Sequence, residues 1–100
     1  MPLFTVLFED EAAVAEEVRR RHMPAHFAFL ERNAGQVRAA GPLQGSEGPV
    51  GGLWLVEADD PQQVDALVRD DPFWSAGLRR SVRVLAWTRV FAEGTRCVGS

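Results

Sequence analysis

Apolar and polar positions along the 100-residue chain follow two different periods, and the switches between them mark the elements. Residues 3–8, "LFTVLF", are β-branched and aromatic and give way at once to acids, which predicts a buried strand. Asp10 is placed to cap the helix that follows. "EAAVAEEVRRR" carries its acids early and its arginines late, as the helix dipole prefers, before "HMPAH" interrupts the pattern. Pro24 is expected to open a second helical segment, with Met23, Phe27, Leu30 and Ala34 on one stripe and Gly35 as its terminator. The two segments would form one kinked or broken helix.

"QVRAAGPL" (36–43) predicts a short strand ending in a Gly-Pro turn, and the polar loop "QGSEGPVGG" leads into a third strand, "LWLVEA" (53–58). Asp60, Pro61 and Gln63 supply an N-cap, an N1 proline and the N3 partner of a capping box, after which Val64, Leu67 and Val68 give a helix its apolar face. "RDDPFWSAGL" (69–78) connects that helix to a long final strand, "SVRVLAWTRVF" (81–91). The order βαββαβ with short connections predicts an α+β, ferredoxin-like domain: a four-stranded antiparallel sheet with its helices on one face. One domain fills residues 1–100, with a core over about 3–91 and a tail from Ala92 to Ser100.

Alternation within the strands leaves one apolar face unaccounted for. Leu3 and Leu7 oppose Phe4, Val6 and Phe8; Leu53 and Leu55 oppose Trp54 and Val56; Val82, Val84, Ala86 and Val90 oppose Leu85, Trp87 and Phe91. Two helices cover only one side of such a sheet, so the other side predicts a homodimer packed sheet to sheet.

Composition narrows the chemistry. With 46% hydrophobic and 25% charged residues the chain is globular, and at net charge -3, with its arginines scattered except for Arg19-Arg20-Arg21, it has no basic face for nucleic acid. Every basic residue in the Lys+Arg count is arginine, which excludes a lysine Schiff base and a P-loop lysine. The single cysteine, Cys97, forms no intramolecular disulfide and suits a reducing cytoplasm. No apolar run is long enough for a membrane span, and "MPLFTVLFED" lacks a basic leader, so neither a membrane nor an export signal is expected.

The remaining candidates are one imidazole and a carboxylate. On a helical wheel His26 borders the stripe of Met23 and Leu30, where a partly buried ring can act as a general acid or base if a carboxylate fixes its tautomer. The plain alternative is a core-edge histidine bonded to a carbonyl. His22 stands four residues before His26, a metal-ligand spacing, but a helix opening at Pro24 would leave His22 outside it and solvated, and no metal is expected. Asp71, before Pro72, has the pattern of an N-cap, with Gly77 closing the turn; its carboxylate can also accept from an imidazole, leaving Asp70 solvated. Phe73 and Trp74 are core or interface residues, or the wall of a pocket for a small ring.

Together, "PAHFAFL" (24–30), "AAGPL" (39–43), "GGLWLVEA" (51–58) and "DDPFWSAGL" (70–78) resemble, in order and spacing, the YCII-related (YciI-like) proteins from about residue 3 to about residue 91. The resemblance implies a dimeric α+β barrel and a His/Asp pair in a cleft, here His26 and Asp71. One branch of that family removes chloride from a chlorinated hydroxyhydroquinone, and the fold is similar to muconolactone isomerases, so proton transfer on a small cyclic substrate is the shared theme. Two positions depart from the family pattern: Met23 stands where many members carry Arg, and Ala86 where many carry Pro. An anionic substrate would then need Arg21 or another guanidinium in the cleft.

The expected activity is a cofactor-independent elimination or isomerisation. His26 serves as acid or base, Asp71 orients its ring, and Gly41, Pro42, Phe73 and Trp74 shape the pocket. A non-catalytic ligand-binding or interaction module is the alternative, and a cofactor-free oxygenase on the same barrel a third.

Overall fold

A computed structural model describes residues 2–97. Strands β1 (Leu3–Asp10), β2 (Val37–Gly45), β3 (Gly48–Glu57) and β4 (Arg79–Trp87) form one antiparallel sheet in the order β2-β3-β1-β4. Helices α1 (Ala15–Arg32), α2 (Pro61–Asp70) and the single turn α3 (Pro72–Ser75) complete the βαββαβ plan. A small hairpin follows, β5 (Phe91–Ala92) with β6 (Thr95–Arg96). The predicted final strand therefore begins two residues early, stops at Trp87, and gives up Phe91 to this hairpin. Val98 to Ser100 of the tail lie outside the described residues.

Strand alternation sorts the side chains as the apolar pattern requires. Phe4, Val6 and Phe8 of β1 meet Trp54 and Val56 of β3 on the helix side, where Phe29 of α1 and Val64, Leu67 and Val68 of α2 close the core. Trp54 lies edge-on to Phe8, centroids 5.0 Å apart, and 5.9 Å from Phe29. The other face carries Leu3, Leu7 and Leu55, half-buried, beside Leu53, Leu85 and Trp87, which are 37%, 37% and 41% exposed. No described helix covers that face, because the buried faces of α1 and α2 lie on the opposite side.

Three local expectations are corrected. Pro24 does not divide the first helix: α1 runs unbroken from Ala15 to Arg32. A proline removes one hydrogen bond, to the carbonyl four residues back, but Pro24 and Arg20 are both exposed, so water can satisfy that carbonyl. The buried side of α1 is accordingly Val18, His26 and Phe29, while Phe27, expected on the apolar stripe, is 56% exposed. Second, the loop "QGSEGPVGG" is mostly ladder: β2 and β3 pair as far as Gly45 and Gly48 and leave a two-residue turn.

Third, Asp10 is not a helix cap. It is the last residue of β1, it points to the helix side as Phe4, Val6 and Phe8 do, and the N-cap position of α1 is Val14, which makes no side-chain cap bond. The carboxylate is spent elsewhere, on two arginines. Where capping was expected around α2 and α3, it is present: Asp60 accepts from the Gln63 amide at 2.9 Å, and Gln63 Oε1 accepts from the Asp59 amide at 3.0 Å. Gly77, at φ +82°, follows the end of α3, where the Gly77 amide donates to the Trp74 carbonyl and the Leu78 amide to the Phe73 carbonyl.

Candidate active site

Asp71 sits in extended backbone between α2 and α3, and its position there is dictated by the turn. Pro72 cannot continue α2, so the chain breaks at Asp71, and the carboxylate oxygen Oδ1 accepts from the Phe73 amide at 3.1 Å as the cap of α3. The same oxygen lies 2.8 Å from Nδ1 of His26. Both partners are buried, Asp71 at 2% and His26 at 7% exposure, so the pair is shielded from competing water. An ionised carboxylate only accepts, so Nδ1 carries the proton and donates it, which leaves the lone pair on Nε2. Among the described residues Nε2 has no hydrogen-bond partner.

The imidazole is also fixed from the side. Its ring stacks on Phe73 at a centroid distance of 4.0 Å and an interplanar angle of 16°. Phe73 is therefore both capped by Asp71 and in contact with the ring that Asp71 orients. His26 is more deeply placed than its helical phase alone suggests, because α3 packs across α1 and closes over it.

Beside His26 lies a cleft of about 210 Å³, lined by apolar groups that include Met23, Leu30, Pro42, Trp54 and Phe73, together with Gly41, Gly51 and Gly52. Pockets for drug-sized ligands run from about 300 Å³ upward, so this one suits a single ring. Gly52 lets backbone form part of its wall, since a Cβ there would be 3.3 Å from both Arg79 Nη1 and the Gly41 carbonyl oxygen, whereas a Cβ on Gly51 would meet the neighbouring strand, 1.8 Å from the Phe8 carbonyl oxygen. Trp74, expected as a wall, does not line the cleft. It packs half-buried against the core, with the Arg69 guanidinium 5.1 Å from its ring centre.

Sequence reasoning missed the charged end of the cleft. Arg19 and Arg79 both line it, and both bond Asp10: Arg79 Nη1 donates to Oδ1 at 2.9 Å, and Arg19 Nη2 donates to Oδ2 and to the Gly51 carbonyl at 3.2 Å. The Arg79 guanidinium lies 4.0 Å over the Phe8 ring and 5.4 Å from that of Phe73. Burial pushes this guanidinium below the usual arginine range, while its bonds to Asp10 and the charge of Asp71 oppose the shift. Arg21, the guanidinium named from sequence, is instead a solvated partner of Glu17 at 3.2 Å. Two signals in the sequence pointed here. Arg19 is seven residues, almost two full turns, before His26, and Asp10 shares the inward parity of Phe8.

His22 is on the same helix as His26 after all, yet among the described residues no group of three or more His, Cys, Asp or Glu could hold a metal ion. Nor is any described helix long and apolar enough to cross a membrane.

The fold and the site define a ferredoxin-like α+β protein with a buried histidine-carboxylate pair beside a cleft of single-ring size. The chain belongs to the YCII-related domain family, whose pattern it matches over residues 3–88. It is similar in structure to 5-chloro-2-hydroxyhydroquinone dehydrochlorinase (TftG) from Burkholderia phenoliruptrix AC1100, solved in complex with 2,5-dihydroxybenzoquinone: TM-score 0.77, 28% identity, 87% of this chain and 94% of that one covered. A protein from Thermus thermophilus shares the fold at TM-score 0.56 and 18% identity, with 93% of this chain and 100% of that one covered. So does an uncharacterized NIPSNAP domain protein from Burkholderia xenovorans, at 0.50 and 13%, with 88% and 93% covered. No curated protein sequence matches the chain.

Proposed function

We propose that the protein is a small-molecule enzyme that moves protons on a hydroxylated single-ring substrate, with His26 as general acid and base and Asp71 holding its tautomer. The observation that carries this reading is the buried 2.8 Å contact between Nδ1 and a carboxylate that is itself fixed as a helix cap. Such a pair presents Nε2 in one orientation and stabilises the imidazolium formed when it takes a proton. The likeness to a dehydrochlorinase solved with a dihydroxybenzoquinone supports the substrate class.

For a chlorinated hydroxyhydroquinone the steps balance without an oxidant. A ring-hydroxyl proton passes through His26 to the chlorine-bearing carbon, giving a ketone form. A second hydroxyl proton then leaves to His26 as the C–Cl bond breaks, its electron pair departing with chloride; a hydroxyquinone and HCl result. Gly41, Pro42 and Phe73 shape the space in which the ring turns over. In an assay of 5-chloro-2-hydroxyhydroquinone with free chloride and quinone absorbance as readouts, chloride release matched one to one by quinone is expected. Isomerisation of the same ring without chloride release would retain the acid-base reading and change the reaction. No turnover of any hydroxylated ring would leave a binding module as the better account.

We further propose that the protein is cytoplasmic and forms a homodimer joined through the uncovered sheet face. Leu53, Leu85 and Trp87 lie there in one patch, and apolar faces of this kind are rarely left to solvent. Light scattering should give twice the 11.0 kDa chain mass, and Leu85→Glu should return the monomer mass with the fold retained. A wild-type monomer at micromolar concentration would rule this interface out.

A further inference from the structure

Among the described residues, the buried side-chain nitrogens and oxygens without a hydrogen-bond partner are Nε of Arg19 and Nε of Arg79. Both residues line the cleft. Those two N–H groups are covered by protein, so a ligand would meet each guanidinium at the atoms that line the cleft, on side chains that Asp10 already holds in place. We propose that Arg19 and Arg79 form the anion-recognising end of the cleft, and that its ligand is a planar single-ring compound bearing an ionised or ionising oxygen: a phenolate, an enolate or a carboxylate. This rests on the reading of the cleft as a small-molecule site.

The geometry suits a fixed receptor. The Arg79 side chain is only 5% exposed, anchored by Asp10 and laid over Phe8, so its planar fork is already ordered before a ligand arrives. Arg19, at 19%, is anchored by the same carboxylate and by the Gly51 carbonyl. One aspartate thus positions two guanidiniums without using up their donors.

Charge leads to the same ligand. With His26 neutral, the cations Arg19 and Arg79 are balanced by Asp10 and Asp71, and the cleft is neutral as a whole. Once His26 takes a substrate proton, the protein side gains one positive charge and the substrate one negative charge. The developing oxyanion then has two donors of fixed position at the end of the cleft opposite in character to its apolar walls, which is where preorganised electrostatics act most strongly.

The test is calorimetric binding of two rings of similar size: 2,5-dihydroxybenzoquinone, which is anionic at neutral pH, and hydroquinone, which is not. The wild type is expected to bind the anion about tenfold or more tightly than hydroquinone, and added salt should reduce the difference. Arg79→Met should abolish that preference while changing hydroquinone affinity by less than about threefold. Arg19→Met, at a less buried position, gives the same reading if Arg79→Met does not fold. His26→Asn should keep the preference. Equal binding of both rings by the wild type, or an undiminished preference in folded variants at both arginines, overturns the anion assignment and leaves the small-ring reading standing. If neither ring binds, both fall.

Discussion

Replacing Asp10 by asparagine lowers the unfolding free energy by about 3–5 kcal/mol, the range for removing one partner of a buried ion pair. The size follows from what is stranded. Asp10 and Arg79 have side chains only 4% and 5% exposed, so the guanidinium cannot swing out to water when its counter-charge goes. Asparagine keeps one acceptor but turns an amide NH2 toward one of the two donors, replacing attraction by a clash of like groups. Arg19 is more exposed and can relax, which places most of the loss on Arg79. Urea titration should therefore move the midpoint down with an unchanged slope. Adding Arg79→Met to Asp10→Asn should restore part of the loss, since the unpaired cation is then gone. A loss below about 1 kcal/mol, the level of a surface pair, would mean that this cluster is solvated in solution.

His26→Asn is expected to lower kcat by about 10²–10⁴-fold, the usual contribution of a positioned acid or base, with little change in the binding of ring compounds. The discriminating companion is Asp71→Asn. Asparagine is as good an N-cap as aspartate and still presents an oxygen to Nδ1 and to the Phe73 amide, so the fold and the ring orientation persist. What disappears is the negative charge that stabilises the imidazolium. A fall in kcat at unchanged melting temperature then assigns Asp71 a positioning and electrostatic role beyond its cap. Unchanged kcat in both variants would return His26 and Asp71 to structure and favour the non-catalytic alternative.

The two sites differ in how legible they were. The His26/Asp71 pair could be named because an imidazole beside an apolar stripe and an Asp-Pro helix start are both local patterns. Their meeting across 45 residues of chain came from the resemblance, since no local rule brings α1 and α3 together. Asp10 was misread because a strand end and a helix N-cap favour the same residue, and only the inward parity of β1 separates them. Arg79 was hidden for a different reason. The register between β1 and β4 shifts at Glu9 and Asp10, so simple alternation counted back from Val82 and Val84 does not place its side chain. The unbroken α1 reflects a competition that local signals do not decide. One lost hydrogen bond on a wet face is outweighed by the burial of His26 and Phe29 on the other side.

The double duty of Asp71 also bears on descent. A lineage that gave up the chemistry would still need a cap before Pro72, so the aspartate would persist under selection for folding alone, while the imidazole would be free to drift once nothing turned over beside it. On the proposed acid-base reading, histidine at the position of His26 would be the informative marker of activity across relatives of this chain, and aspartate at the position of Asp71 would not.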